Sequence, residues 1–86
     1  MRSPGRQRRE PESAYRAAFG LQVRALRERK RVSQHDLADL VDMSPRHLGG
    51  IERGQANVTL DLIVRIADGL GVEPARLLPR RRTPGT

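Results

Sequence analysis

Residues 33–53, SQHDLADLVDMSPRHLGGIER, decide the fold of this chain. Ser33 and the pair Ser44-Pro45 each indicate the start of a helix, because serine is a common N-cap residue and proline is favoured at the first helical position. Their spacing leaves room for one helix of about two turns and then a short turn at Asp42-Met43. The sequence therefore predicts two short helices that meet at a tight corner, over about residues 34–41 and 45–53.

The second helix of this pair has two different faces. Leu48 and Ile51 form the apolar side, because residues three apart lie on one face of a helix. The other face is polar, partly cationic and partly small, with Pro45, Arg46, Gly49, Gly50 and Arg53. A short helix with such a face, held by another helix across a tight turn, is typical of a helix-turn-helix that reads DNA.

Helical patterns continue on both sides of this pair. A long first helix begins near residues 13–14 and runs to Lys30, with a buried stripe whose apolar steps are four and three residues. Thr59 caps a fourth helix, and Pro74 starts a short fifth. The predicted core consists of Phe19, Val23, Leu26, Leu37, Ala38, Val41, Leu48, Ile51, Leu60, Ile63, Ile66, Ala67, Leu70, Leu77 and Leu78.

No stretch alternates as a strand would, so the predicted fold class is all-α: a compact five-helix domain over residues 14–78 with disordered basic tails. Of the net charge of +7, residues 1–13 carry +2, residues 79–86 carry +3 and the domain carries +2. Basic tails around a compact domain suit a polyanionic partner, although they could also serve only to keep the protein soluble.

The composition argues against several kinds of site. There is no cysteine for a disulfide or a thiolate metal site, and His35 and His47 have no acidic cluster at ligand spacing. We therefore expect no metal and no cofactor. Ser33 and Ser44 are better explained as caps than as nucleophiles, so we expect no enzyme. No apolar run approaches the ~18 residues of a membrane span, which favours a cytoplasmic, nucleoid-associated protein.

A set of short elements stands at fixed spacings: Leu26-Arg27, Ser33-Gln34, Leu37-Ala38, Ser44, Leu48, Ile51-Glu52-Arg53-Gly54, Asn57, Thr59-Leu60, Ile66-Ala67 and Leu70-Gly71-Val72. Together they resemble the lambda repressor-like helix-turn-helix domain of the Xre (Cro/CI) family of DNA-binding regulators, over about residues 19–78. The resemblance implies a five-helix domain whose third helix enters the major groove of double-stranded DNA. It also implies a homodimer on a pseudo-palindromic operator.

The resemblance assigns roles to individual residues. It implies that Gln34 binds a phosphate and braces the recognition helix, and that a buried Arg27–Glu52 ion pair ties the first helix to the third. It also implies phosphate contacts by Arg53, Asn57 and Thr59. The predicted base-reading residues are Ser44, Pro45, Arg46, His47, Gly49 and Gly50. Arg46 is the strongest discriminator among them, most naturally for guanine.

The chain departs from the family's pattern at two kinds of position. The family often has glycine where this chain has Arg31 and Asp42, so these turns either use another geometry or carry strain. Conversely, Gly49 and Gly50 stand where a recognition helix usually presents side chains. Either they allow very close approach of the backbone to DNA, or they are simply tolerated or pack against a neighbour.

The leading functional prediction is a sequence-specific, DNA-binding transcriptional regulator such as a repressor. Two alternatives stay open: an antitoxin-like or other protein-interaction module on the same fold, and a nonspecific nucleoid or RNA binder. A second apolar row on the first helix bears on the protein-interaction alternative. It is either an exposed, helix-favouring surface or a contact for a partner subunit, and it consists of Ala14, Ala18, Leu21 and Ala25.

Overall fold

The computed structural model describes residues 11–79 as helices joined by short turns. This part of the chain contains no strand, so the predicted all-α class is confirmed. The predicted short fifth helix is a 3₁₀ helix, so the described residues contain four α-helices and one 3₁₀ helix. The elements are α1 (Glu12–Arg29), α2 (Gln34–Leu40), α3 (Pro45–Glu52), α4 (Leu60–Leu70) and the 3₁₀ helix (Pro74–Leu77).

The boundaries of the predicted tails are tested only in part. Helix α1 begins at Glu12, one or two residues earlier than expected, so residues 12 and 13 are helical rather than disordered. The remainder of the predicted N-terminal arm, residues 1–10, lies outside the described residues. Residues 80–86 of the predicted C-terminal tail lie outside them as well.

Three helices begin with the predicted side-chain caps. The hydroxyl of Ser33 accepts a hydrogen bond of 3.0 Å from the backbone N–H of Asp36 at the start of α2. Ser44 does the same for the N–H of His47 in α3 at 3.0 Å, and Thr59 for that of Leu62 in α4 at 3.1 Å. Each cap satisfies a donor that has no partner within its own helix, so local sequence determines where these helices start.

All four α-helices end in the same backbone arrangement. At the end of α1, the N–H of Arg31 donates to the carbonyl of Glu28 at 3.0 Å, and the next N–H donates to that of Arg27 at 3.1 Å. The residue that turns the chain has a positive φ: 60° at Arg31, 59° at Asp42, 76° at Gly54 and 71° at Gly71. The first two turns therefore adopt the left-handed conformation that glycine favours, although neither residue is glycine. Both turns carry strain, and the strain is greater at the arginine than at the aspartate.

The core lies where α1, α2, α3 and α4 meet, and most of its predicted residues are buried. Two predicted members are wrong: Leu60 is 73% exposed and Leu78 is 49% exposed. Leu60 is the first residue of α4, in a helical turn beyond the edge of the core. Ile63, one turn later, is only partly buried. Leu78 follows the 3₁₀ helix in an extended conformation, which turns its side chain away from that of Leu77.

Gly20 is a feature of the core that the apolar pattern did not reveal. It is buried where α1 crosses α3, and a Cβ atom there would overlap the carbonyl oxygens of Ile51 and Glu52. Those oxygens belong to the backbone and cannot move independently of α3. The absence of a side chain at Gly20 therefore sets how closely the two helices approach.

Gly20→Ala is expected to lower the free energy of unfolding by about 1–3 kcal/mol, because overpacking forces the backbones apart. Urea denaturation measures this change. Gly50→Ala is the matched control, since a Cβ there would meet only the Cβ of Ala56, at 3.9 Å. The control should gain up to about 1 kcal/mol from the higher helix propensity of alanine. A Gly20→Ala protein as stable as the wild type would contradict this account of the crossing.

Candidate nucleic-acid interface

Helix α3 presents a short polar surface at its N-terminal end. Leu48 and Ile51 are buried against the other helices, whereas Arg46 and His47, in the first turn of α3, are exposed. Ser44 is also exposed, with its hydroxyl engaged as the cap, and Pro45 is half-buried. The structure thus brings four of the six predicted base-reading residues together at one accessible end of a helix.

The predicted phosphate-binding residues lie on three different elements. Gln34 is half-buried at the first position of α2, whereas Arg53 follows α3 and is exposed. Asn57 and Thr59 are exposed in the loop that leads into α4, where the Thr59 hydroxyl caps the helix. The Nε of Arg53 donates to the side-chain oxygen of Gln55 at 3.0 Å, a partner that the sequence did not suggest.

A buried carboxylate connects the first three helices. Glu52, whose side chain is 3% exposed, accepts hydrogen bonds from Arg27 Nε at 2.7 Å and from Arg27 Nη2 at 3.1 Å. Gln34 Nε2 donates to the same carboxylate at 2.8 Å. The predicted Arg27–Glu52 pair is therefore present in bidentate form, and Gln34 adds α2 to the connection between α1 and α3.

Arg27 also holds the turn that follows its own helix. Its Nη1 donates to the carbonyl oxygen of Val32 at 2.9 Å, just before α2 begins. The hydrogen bonds to Glu52 raise the pKa of Arg27 above its ordinary value, the negative charges of Glu52 and Glu28 add to this increase, and burial opposes it. The guanidinium therefore stays charged in the folded protein.

The two glycines of α3 have different surroundings. Gly49 is buried, and a Cβ there would lie 3.1 Å from Arg53 Nη1 and 3.7 Å from Gln34 Oε1. Gly50 is half-buried and has only Ala56 within 4 Å of its Cβ position. Of the alternatives that the sequence left open, packing against a neighbour fits Gly49, because side chains of the same domain cover it. No sequence pattern signals this, since the cover comes partly from α2.

Other kinds of site find no support in the part of the chain that the structure describes. Residues 11–79 contain no group of three or more His, Cys, Asp or Glu that could hold a metal ion. His35 and His47 are both exposed and lie on different helices. No helix among these residues is both long and apolar enough to cross a membrane.

Comparison with known proteins gives consistent matches across the described domain. A family model described as a helix-turn-helix domain matches residues 18–79. Control protein C.BamHI of Bacillus amyloliquefaciens is 42% identical over 64 residues, which cover 73% of this chain and 79% of that protein.

Two solved structures extend these matches to three dimensions. The restriction-modification controller protein C.AhdI from Aeromonas hydrophila is similar with a TM-score of 0.72 and 41% identity, covering 73% of this chain and 96% of that one. The clp gene regulator ClgR from Corynebacterium glutamicum has a TM-score of 0.72 and 32% identity, covering 79% of this chain and 86% of that one.

Glu52→Ala is expected to lower the free energy of unfolding by about 3–5 kcal/mol, because it leaves the charge of Arg27 in a largely buried site without its partner. Thermal denaturation followed by circular dichroism measures the change. Glu28→Ala is the control: it removes an exposed pair with Arg24, at 3.0 Å one turn away, and should cost less than about 0.5 kcal/mol. Equal effects of the two substitutions would contradict the role assigned to the buried pair.

Proposed function

The chain belongs to the helix-turn-helix domain family, and on that premise we propose that it regulates transcription by binding one double-stranded DNA sequence. The observation that carries the proposal is the N-terminal end of α3. It is exposed and carries Arg46 and His47, while the C-terminal end of the same helix is fixed to α1 and α2 through Glu52. A helix presented in this rigid way can enter the major groove with its first turn toward the bases.

Groups beside α3 suit the DNA backbone. Arg53 carries a planar charged group that suits a phosphate, and Gln34 has a second amide hydrogen besides the one donated to Glu52. Asn57 and Thr59 lie beside the first backbone N–H groups of α4, where a helix attracts anions. We propose that these contacts set the register of the protein on the duplex, whereas Arg46 supplies most of the direct base reading.

The names of the relatives suggest the class of biological task. One is named as a control protein, a second as a restriction-modification controller protein, and a third as a regulator of clp genes. We propose that this chain controls a gene or gene set by binding an operator, as a repressor in the simplest case. It would act in the cytoplasm with the nucleoid, as a binding protein and not as an enzyme.

We further propose that the protein acts as a homodimer on a pseudo-palindromic operator. An exposed apolar pair on α4, Leu60 and Val64, supports a contact between subunits, because residues four apart share one side of a helix. The row on α1 offers only one large exposed side chain, Leu21, among alanines. We therefore place the subunit contact on α4 and treat the α1 row as surface.

Selection of bound sites from random DNA duplexes tests the central proposal. The expected result is one enriched motif made of two inverted half-sites about one helical turn apart, bound at least about a thousandfold more tightly than random duplex. Enrichment without a motif would favour a nonspecific nucleic-acid binder. If the protein retained no duplex at all, the result would contradict DNA binding and favour the protein-interaction alternative.

On the selected duplex, Arg46→Ala and Arg53→Ala are expected to have different effects. Loss of Arg46 should weaken binding by about 1–3 kcal/mol and relax the preference at one base position. Loss of Arg53 should weaken binding to all sequences and reduce the salt dependence by about 0.9 log units for each phosphate that the variant no longer binds. Titration of both variants against the motif and its single-base variants at several salt concentrations measures these effects. A uniform loss in Arg46→Ala would contradict its base-reading role.

Leu60→Glu is expected to dissociate the dimer, because it places a charge in the centre of an apolar contact. Leu21→Glu is the control at an equally prominent position, where the leucine is 64% exposed on α1. Sedimentation velocity over a range of protein concentrations measures the mass of each variant. Dissociation by Leu21→Glu and not by Leu60→Glu would move the subunit contact to α1. A monomeric wild-type protein, also on its selected duplex, would contradict the dimer proposal.

A further inference from the structure

Gly49 on α3 lies beneath the side chain of Arg53, the residue that follows this helix. The arginine is one helical turn later, and its Nη1 atom lies 3.1 Å from the point that a Cβ of residue 49 would occupy. This separation is tighter than an ordinary contact between a methyl group and a nitrogen atom. With a side chain at residue 49, the guanidinium would have to move from its observed position by a few tenths of an ångström.

The same point is close to the amide group of Gln34. Its Oε1 and Nε2 atoms lie 3.7 Å and 3.8 Å from the Cβ position of residue 49. The Nε2 atom donates one hydrogen to Glu52, which fixes the orientation of the amide, because a carboxylate can only accept. The Cβ position of Gly49 is thus close both to the cation of Arg53, just after α3, and to the amide of Gln34 on α2.

Each of these two groups keeps donors for an outside acceptor. The Nε of Arg53 donates to Gln55, so an anion would be bound by the Nη groups. The second hydrogen of the Gln34 amide is not used by Glu52. Two donors held against the same point can reach two oxygens of a single phosphate group.

We propose that Gly49 is a positioning residue for DNA binding: it holds Arg53 against Gln34 so that the pair forms one preassembled phosphate clamp. This inference rests on the proposed function, and it assigns to Gly49 an action through Arg53, not a contact with DNA of its own. Preassembly matters because side chains that are already ordered lose less freedom when they bind.

Gly50 provides the comparison that separates positioning from helix propensity. It lies on the same helix, and a Cβ there would meet only Ala56, at 3.9 Å. Alanine at either position should raise the melting temperature, because alanine favours helix more than glycine does. At position 49 the added methyl group must also push the end of the Arg53 side chain aside, which a flexible side chain permits without unfolding.

A double-mutant cycle on the selected duplex tests the proposal, with Gly49→Ala, Arg53→Ala and the double variant as its members. Gly49→Ala should weaken binding by about fivefold to tenfold, part of the reduction expected when a charged hydrogen bond is removed. Its salt dependence should fall toward that of Arg53→Ala, by up to about 0.9 log units. In the Arg53→Ala background the same substitution should have no effect, because the group on which it acts is gone.

Gly50 lies among the predicted base-reading residues, so Gly50→Ala serves as a control for additivity: its effect on binding should be the same in the wild-type and Arg53→Ala backgrounds, since its methyl group displaces no donor of Arg53 or Gln34. An equal reduction for Gly49→Ala in the wild-type and Arg53→Ala backgrounds would overturn the proposal, because it would show that the glycine itself approaches DNA. Unchanged binding by Gly49→Ala, with Arg53→Ala impaired, would overturn it as well. Failure of the wild-type protein to bind any selected duplex would contradict the proposed function instead.

Discussion

The arrangement of the domain depends on one buried carboxylate, that of Glu52. Its side chain accepts from Arg27 on α1 and Gln34 on α2, and its backbone carbonyl lies against Gly20 on α1. Gly20 and Arg27 are seven residues apart, about two turns, so they lie on the same side of α1. Glu52 thus receives both a close backbone approach and a bidentate ion pair from α1. Together these contacts fix the angle and the separation of the two helices.

Such a contact is useful for geometry more than for net stability. Burying two charges costs desolvation energy that the ion pair recovers only with good geometry and further hydrogen bonds. Here the geometry is bidentate, and Gln34 and the Val32 carbonyl supply the further bonds. Through its bond to the Val32 carbonyl, Arg27 also holds the turn between α1 and α2, which contains the strained residue Arg31. The contacts of Glu52 therefore connect the turn between α1 and α2 to α3, the helix that carries Arg46.

Features set by neighbours in the sequence could be predicted, and features set by tertiary contacts could not. The caps at Ser33, Ser44 and Thr59 each depend on a residue three positions away, so local sequence suffices to identify them. The exposure of Leu60 and Leu78 depends on where the core ends, which helical periodicity does not encode. The burial of Gly49 depends on Gln34 in another helix, and the requirement for Gly20 depends on the backbone of α3.

The helices of this domain are held rigidly, but α3 has few side chains suited to reading bases. This contrast bears on how the domain would achieve specificity for a DNA sequence. Arg46 is the accessible side chain of α3 whose chemistry best suits a base edge, and Gly49 is covered. On the proposed function, a domain whose helices are fixed through Glu52 would hold its proposed phosphate-binding groups at set distances, so a bound duplex would have to adjust its shape to the protein. The energy of that adjustment varies with base sequence even at positions that no side chain touches. We therefore expect DNA shape to contribute to recognition by this domain alongside the direct contact of Arg46.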